Sequence, residues 1–575
     1  MFDLFDPQSS GRRWLASRPN RWDWALLPLV LALLAALAFG AMQMSRPFVV
    51  GQPTEIALDP VYLPYYLLRT ILRMFTAMGL SLLFSFAFAA VAARYRAAEK
   101  VMIPLLDILQ SVPILGFQAI AIAPFIALFP GNLLGVECAA IFAIFTSQAW
   151  NMTFSLYESM RTVPSELHEA ARVFRLSAWQ RFWRLELPYA MPGLLWNMMM
   201  SMSGGWFFLV AAEAISVAGQ DIKLPGIGAW IATAIEQENG RAIAYAIAAM
   251  LAGIVLYDQL FFRPLLAWAD KFRFEEAQGE TAQHSWLLDW LRRSRWMHAL
   301  SDRFWARMRG ALGWFGTSPR DADLDARKLP AWLPRAWDAL VAVAAMLAAI
   351  RLIVYVHSDV GWGEVAYVVG LGFLTLLRVL LLIGLASLFW VPVATWIGLR
   401  PQYAQRVQAV AQFLAAFPVN LLFPLVVYAL VAYRLNPNVW LSPLMVFGTQ
   451  WYILFNVVAG ASTIPTELRL AADNLGLKGW LKWKRVYLPA VFPSYLTGAI
   501  TASGGSWNAS IVAEYVTWGK TTLAAAGLGS YIKAMTDAGD FHRIALGIGV
   551  MCVFVMLLNR FFWRRLYLLA EDRSR

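Results

Sequence analysis

Cysteine, histidine and charged residues are scarce in this chain of 575 residues. The two cysteines, Cys138 and Cys552, both lie in apolar runs, and the five histidines lack the spacing of metal ligands. No disulfide framework, metal site or clustered catalytic constellation is indicated, which argues against an enzyme. Only 15% of the residues are charged and 59% are hydrophobic, a balance that excludes a string of soluble domains and indicates a polytopic membrane protein.

The net charge of +12 does not predict a nucleic-acid partner. Its lysines and arginines lie in short loops between apolar runs rather than on one soluble face, so we interpret them as topology determinants. The first run follows a basic segment and is too long, and too poor in small residues at its end, for a cleaved signal. We expect a retained span with the N-terminus, and also the C-terminus, in the cytoplasm.

Apolar runs of about 20 residues predict an all-α polytopic protein with about twelve transmembrane helices. The spans are predicted at about 24–42, 66–93, 102–129, 136–160, 191–218 and 241–262, and then at about 336–356, 365–399, 406–432, 441–460, 492–516 and 544–563.

The chain contains an internal repeat that is clearest between two of these spans. The segment from Pro164 to Pro192 returns without a gap 301 residues later, from Pro465 to Pro493. The offset is 301 as far as Gly228/Gly529 and becomes 305 upstream, so a four-residue difference lies in the region of the third and fourth spans. The halves are therefore parallel repeats of six helices, for which a pseudo-twofold axis along the membrane normal is expected.

The repeat divides the chain into a first half, 1–263, a linker, 264–335, and a second half, 336–575. The linker must be cytoplasmic to join two inside ends. Apolar residues from Trp286 to Leu312 recur in it at helical spacing among arginines, which predicts a basic amphipathic helix. Its simplest placement is on the anionic inner leaflet, with contact to an ATPase or a regulatory role as alternatives.

The repeated segments form the centre of two basic loops, 161–190 and 462–491, each closed by Leu-Pro. Adjacent alanines in such a loop offer a small-residue face that a partner can approach closely. The pattern resembles the coupling loop of ABC-importer permeases, in which a short helix docks on a cytoplasmic ATPase. A simple amphipathic interfacial helix is the alternative, but two copies in register make it the weaker one. The resemblance assigns ATPase coupling to Glu166, Glu169, Ala170, Ala171, Arg175, Glu467, Ala471, Ala472 and Gly476.

Each loop departs from the family pattern at one position. The first has Arg175 where the pattern has glycine, and the second has Gly476 there but Leu470 in place of the glutamate. A left-handed backbone costs a non-glycine residue about 1 kcal/mol. We therefore expect the first loop to turn differently and the two loops to dock unequally.

Glu213 and Glu514 lie deep in the fifth span of each half, seven residues after Trp206 and Trp507. An ionisable group in a span usually faces the bundle interior, which favours the solute path, although a helix–helix contact is an equal alternative. Asn508 and Ser510 offer hydrogen bonds to a polar solute. Close helix packing is favoured for Ser203, Gly204, Gly504 and Gly505. The candidates for the translocation path are Ser203, Trp206, Glu213, Trp507, Asn508, Ser510 and Glu514.

Three further features of the sequence are matched or motif-like. Arg73 and Arg378 match between the halves, and extension to the outer interface is favoured over attraction of an anion. The Gly-x-Gly segments at Gly226 and Gly527 suit a tight outside turn where a delivery protein sits. Gly519-Lys520-Thr521 resembles the end of a phosphate-binding loop, but glutamate replaces the required glycine at position 514, so no ATP site is predicted.

The loops, the segments WFFLVAAE and WNASIVAE, and the Gly-x-Gly segments together resemble the nitrate/sulfonate/taurine group of type I ABC-importer permeases. The resemblance covers both transmembrane halves and implies a bacterial inner-membrane permease without its own cofactor. Two partner ATPase subunits would hold ATP and Mg²⁺, and a periplasmic or lipid-anchored binding protein would deliver the solute. It implies import by alternating access of a small oxyanion or sulfonate, although the aromatic fifth spans suit a small organic molecule equally. The alternative is a twelve-span secondary transporter of the major facilitator type.

Overall fold

The computed structural model describes both repeated halves and a short part of the linker. The described residues are 20–48, 55–217, 220–269, 285–294, 296, 303, 306–307, 332–519 and 521–574.

The described part of the first half is helical except for one hairpin. Its elements are α1 Arg21–Met44, α2 Leu63–Arg94, α3 Arg96–Ser111, α4 Ile114–Leu128, α5 Leu134–Arg161, α6 Ser165–Val173, α7 Ala178–Arg181, α8 Leu187–Ala212, β1 Ala214–Val217, β2 Gln220–Lys223, α9 Ile227–Glu236, α10 Gly240–Tyr257 and α11 Arg263–Ala269. The linker contributes α12, Trp286–Arg293.

The second half repeats this order. Its elements are α13 Trp332–His357, α14 Trp362–Gly398, α15 Pro401–Ala416, α16 Phe423–Ala432, α17 Pro437–Trp440, α18 Leu444–Phe447, α19 Gln450–Ser462, α20 Thr466–Asn474, α21 Gly479–Lys482, α22 Leu488–Ala513, β3 Tyr515–Trp518, β4 Thr521–Ala524, α23 Leu528–Ala538, α24 Phe541–Leu557 and α25 Arg564–Ser574. From α6/α20 to α8/α22 the paired elements have the same lengths at an offset of 301.

Eight helices within the described residues are long and apolar enough to cross a membrane, and a bent pair in the second half, 410–432, would be a ninth span. Three further predicted spans do not meet this criterion: the α3–α4 pair, α5 and α22. Each of these has a counterpart in the other half that passes it. The repeat therefore supports the prediction of about twelve spans in two tandem halves.

The third span of each half is broken, which the sequence prediction of continuous helices at 102–129 and 406–432 had wrong. Pro113 follows α3, and Pro418 follows α15. A proline lacks the N–H that an inner helical turn needs, and it pushes the residue before it out of the helical region. In the second half the helices on either side of the break are bent by 74°.

The fifth spans end earlier than predicted, and the chain is not purely α-helical. α8 ends at Ala212 and α22 at Ala513, and each is followed by a two-stranded antiparallel hairpin. The strand sequences AISV and YVTW are rich in β-branched and aromatic residues, which suit an extended backbone. Gly519 follows β3 with a positive φ of 54°, so the apparent phosphate-loop segment belongs to a hairpin turn.

The described part of the linker packs against the start of α1. Helix α12 ends at Arg293, and the backbone of the next residue, Ser294, is extended, so the helix predicted from Trp286 to Leu312 is interrupted there. The Ser294 hydroxyl donates to Asp23 Oδ1 at 2.5 Å, and the rings of Trp22 and Trp290 lie 5.5 Å apart. The described part of the linker therefore contacts the first span. Its placement on a lipid surface remains a prediction.

The two halves also exchange contacts away from their centre. α13, the first helix of the second half, lies against α3 of the first half, where Trp337 Nε1 donates to the carbonyl of Ala97 at 3.0 Å. Lys100 Nζ lies 2.8 Å from Asp338 Oδ2 in an exposed ion pair. α24 of the second half packs on both α3 and α4.

Candidate functional site: two loops, two buried clusters and a central cavity

The loops 161–190 and 462–491 have the same backbone fold. In each, proline precedes the first residue of a nine-residue helix, α6 or α20. The second alanine of each pair, Ala171 or Ala472, is buried against its own chain, whereas Ala170 and Ala471 are exposed. The expectation that both alanines face a partner is therefore wrong for the second one, which instead closes the loop on itself.

Arg175 makes the same turn as Gly476, contrary to the expectation of a different turn. Arg175 has a positive φ of 49°, and Gly476 has one of 69°. The N–H of Leu176 donates to the Ala171 carbonyl at 3.0 Å, and its counterpart at Leu477 has the same length. The loop hydrogen bonds thus hold an arginine in a conformation that costs about 1 kcal/mol relative to glycine.

Exposed apolar side chains lie at or after the end of each loop helix. Val173 is 79% and Phe174 75% exposed in the first loop, and Leu475 is 78% and Trp480 72% exposed in the second. Glu166, Glu169 and Glu467 are exposed beside them. Large apolar groups standing together on a basic surface are typical of a protein–protein contact.

The first loop is fastened to its membrane helices by charged groups that the sequence analysis did not identify. Glu186 lies 2.9 Å from Arg181 and 3.5 Å from Arg94, at the end of α2. Arg94 also donates to the carbonyl of Ala178 at 2.6 Å. Burial of the imidazole, with Arg181 nearby, lowers the pKa of His168.

Among the described residues the second loop has no counterpart of this attachment, because Leu399 replaces Arg94 and Tyr487 replaces Glu186. Its ion pair is internal: Lys482 donates to Asp473 Oδ1 at 2.5 Å. This hydrogen bond raises the pKa of Lys482 above its ordinary value.

Glu213 belongs to a buried cluster with Arg69, Arg73 and Glu137, here called the first cluster. All four side chains are at most 1% exposed. Arg73 bonds Glu137 Oε2 at 2.5 Å and Glu213 Oε1 at 2.6 Å, and Arg69 also bonds Glu137. The expectation that Arg73 extends to the outer interface is therefore wrong.

Glu514, Arg378 and Asn438 form the second cluster. Arg378 Nη1 lies 3.0 Å from Glu514 Oε1 and is 15% exposed. Asn438 Oδ1 lies 3.4 Å from Arg378 Nη2, in the place that Glu137 takes in the first half. Leu374 occupies the position that corresponds to Arg69 at an offset of 305. The second cluster thus has one arginine and one carboxylate, half the charges of the first.

Both glutamates accept a hydrogen bond from the N-terminus of the helix that follows the hairpin. Glu213 accepts from the N–H of Gly228 at 2.7 Å, and Glu514 accepts from that of Gly529 at 2.8 Å. A Cβ at Gly226 would lie 2.3 Å from the Glu213 carboxylate. The Gly-x-Gly segments are thus explained by the approach of a carboxylate to a helix N-terminus.

The other path candidates are distributed over several environments. Trp206, Trp507 and Ser510 are buried, and Ser203 donates to the carbonyl of Met199. Asn508 Oδ1 accepts from the N–H of Ile114 at 2.8 Å, so it joins the halves at the start of α4. The geometry of Glu213 and Glu514 supports the alternative of a helix–helix contact, and the role of the set in translocation remains a prediction.

A cavity of about 290 Å³ lies between the halves, near the hairpins, and is here called the central cavity. Both fifth spans and both broken third spans contribute to its wall. Two carboxamides, Gln118 and Asn420, line it, and the sequence analysis identified neither. Both lie close after a proline, Pro113 or Pro418, that breaks its span. This could have indicated them, since broken spans often carry binding groups.

The comparisons with known proteins agree on one family. The family described as binding-protein-dependent transport system inner membrane component matches residues 62–261 and 390–575, more than half of the chain. The double match coincides with the two halves of the repeat.

Several curated proteins are similar to this chain. The bicarbonate transport system permease protein CmpB of Synechococcus elongatus is 23% identical over 280 residues, 44% of this chain and 94% of that protein. The nitrate import permease protein NrtB of Leptolyngbya laminosa is 27% identical over 27% of this chain and 50% of its own length. The glycine betaine/proline betaine transport system permease protein ProW of Escherichia coli is 32% identical over 24% of this chain and 36% of its own.

Proposed function

Because this chain belongs to the family of binding-protein-dependent transport system inner membrane components, an ABC-type permease family, we propose that it forms the whole membrane pathway of an ATP-driven importer. The family is that of bacterial inner-membrane permeases whose partners are an ATPase and a solute-binding protein. Two ATPase subunits would hold ATP and Mg²⁺, and each would engage one loop. The loops and both chain ends would face the cytoplasm.

The observation that carries this proposal is the pair of matching loops. Each has a short helix followed directly by an exposed apolar side chain, Phe174 or Leu475, at the same position of the repeat. A movement of an ATPase subunit bound there would be transmitted to α8 or α22 through the rigid turn. Two such levers on a pseudo-twofold bundle suit alternating access, in which the halves rock about the central cavity. The duplicated loops have no such use in a secondary transporter.

The sequence and the relatives together support a class of solutes rather than one compound. We propose a small oxyanion, a sulfonate or a related small organic molecule, delivered by a periplasmic or lipid-anchored binding protein. The relatives' names speak of bicarbonate, nitrate and betaines, so the family is not tied to one charge.

ATP hydrolysis by the assembled complex tests the coupling. Phe174→Asp combined with Leu475→Asp would place charges where an apolar groove is expected, and solute-stimulated hydrolysis should fall at least tenfold. Val61→Asp is the matched control, because Val61 is 78% exposed and precedes α2 at the end remote from the loops. Unchanged hydrolysis in the double variant, with the complex intact by gel filtration, would refute docking at the loops.

A further inference from the structure

The central cavity has an apolar wall with few charges. Its described lining includes Val210, Ile231, Phe423, Val427 and Ile511. Of the described lining residues only Lys223, Glu236 and Lys533 are charged.

Both lysines already have carboxylate partners. Lys223 Nζ lies 2.6 Å from Glu236 Oε2, and Lys533 Nζ lies 2.7 Å from Asp537 Oδ1. An oxyanion that entered the cavity would have to compete with these carboxylates for the ammonium groups. The described lining thus presents no uncommitted cation to an anion.

Two side-chain oxygens in the lining of the central cavity, in contrast, have no hydrogen-bond partner. Gln118 is 1% exposed, and its side-chain oxygen is buried without a hydrogen-bond partner. The side-chain oxygen of Asn420 is in the same state. A buried acceptor without a partner costs about 1–3 kcal/mol, so two in one cavity need an explanation.

The orientation of Asn420 is fixed by its surroundings. Its amide nitrogen donates to the carbonyl of Phe207 at 3.2 Å. A carbonyl can only accept, so exchanging the nitrogen and oxygen would set two acceptors against each other. The oxygen of Asn420 must therefore remain the group without a partner, and only a donor can satisfy it.

We infer that the central cavity binds a small organic solute that carries N–H or O–H donors on an otherwise apolar body, and that the side-chain oxygens of Gln118 and Asn420 accept from it. The inference rests on the proposed import function and narrows its solute class. It disfavours a fully deprotonated oxyanion, which has acceptors only. The two oxygens come from different halves and from positions that do not correspond in the repeat, so the site recognises an asymmetric solute.

The test uses three probes of one size and shape: 4-fluorobenzamide, 4-fluorobenzamidine and 4-fluorobenzoate. The first two carry N–H donors, and the third carries acceptors only at neutral pH. Binding to the purified full-length permease in lipid nanodiscs, without ATPase, is followed by ¹⁹F NMR line broadening, with empty nanodiscs as the blank. The two donor probes should bind at least tenfold more tightly than the benzoate.

Substitutions locate the binding. Gln118→Met and Asn420→Leu should each weaken 4-fluorobenzamide about tenfold, since each removes an acceptor. Gln148→Met is the matched control, because Gln148 also has a buried oxygen without a partner but lies outside the cavity beside Met74. Gln118→Glu keeps the acceptor and adds charge, so it should raise the preference for benzamidine over benzamide about tenfold.

Three results would overturn the inference: benzoate binding as tightly as benzamide, benzamide binding unchanged in both cavity variants, or no probe binding at all. Coupling to ATP hydrolysis is tested separately, with the loop variants Phe174→Asp and Leu475→Asp. Loss of probe binding with normal solute-stimulated hydrolysis would refute only the solute class. If the probes bind as expected but the loop substitutions leave ATP hydrolysis unchanged, only the proposed function is refuted.

Discussion

The two halves share a backbone but differ in how they are fastened. In the first half two arginines and two glutamates are sealed among α2, α5 and α8, and an ion pair ties the loop to α2. In the second half one arginine and one glutamate remain, the arginine is partly exposed, and the loop's pair is internal. The glutamate at the helix N-terminus is therefore common to both halves, whereas the further charges are particular to the first half.

Removing the central arginine of each half should give the largest effect. Arg73→Met would leave Glu137 and Glu213 buried with less compensation, which costs about 3–5 kcal/mol of the free energy of unfolding. Arg378→Met should cost about half as much, because Arg378 is 15% exposed and Asn438 is uncharged. Thermal unfolding of the purified protein measures both, and Lys100→Met, in an exposed pair, is the control. Equal losses in the two halves would contradict the comparison.

Exchanging Glu137 and Asn438 tests whether the extra charge is needed in only one half. Glu137→Asn leaves two buried arginines with one carboxylate, and we expect a loss of about 3 kcal/mol in the free energy of unfolding. Asn438→Glu adds a carboxylate at an exposed position beside Arg378 and should change it by less than about 1 kcal/mol. A strong stabilisation by Asn438→Glu would contradict the comparison, because it would show that a second carboxylate stabilises the second half as well.

The glycines before α9 and α23 should respond alike, because the glutamate contact is common to both halves. A Cβ would lie 2.3 Å from the carboxylate at Gly226 and 2.2 Å at Gly527. Each alanine variant should therefore lose about 1–3 kcal/mol of the free energy of unfolding. Gly504→Ala, within α22 and with open space around its Cβ, should instead be neutral or slightly stabilising. A loss confined to one half would argue against the shared role.

The smallest effect is expected at the turns of the two loops. Arg175→Gly should relieve the left-handed strain and stabilise the first loop by about 1 kcal/mol, while Gly476→Arg should cost the second loop about as much. Open space surrounds Gly476, so any cost there is conformational rather than steric. Amide hydrogen exchange at Leu176 and Leu477 would report both changes, slower in the first variant and faster in the second. Exchange that moves in the same direction in both would contradict the assignment.

The sequence predicted the repeat, the spans and the loops because each leaves a local pattern. Apolar runs reflect the thickness of the bilayer, and the offset of 301 reflects an unbroken duplication from the fourth span onward. The hairpins were missed although AISV and YVTW carry strand-forming residues, because these segments prolong apolar helical runs. Pro113 and Pro418 signalled the helix breaks, but both lie within runs of spanning length.

The buried clusters could not be predicted, because their partners are far apart in sequence. Arg73 is 64 residues from Glu137 and 140 from Glu213, and no periodicity relates such distances. The same limit hid Gln118 and Asn420, which meet only where the two halves face each other. Trp206 and Trp507, in contrast, were found because they match in the repeat and lie seven residues before Glu213 and Glu514.

The position of α13 has a consequence for assembly. The helix that opens the second half rests on α3 of the first, and α24 adds to this cross-contact. The second half therefore covers α3 and α4 of the first half. Because the two unlike halves belong to one polypeptide, a pathway built from this chain always has two different sides.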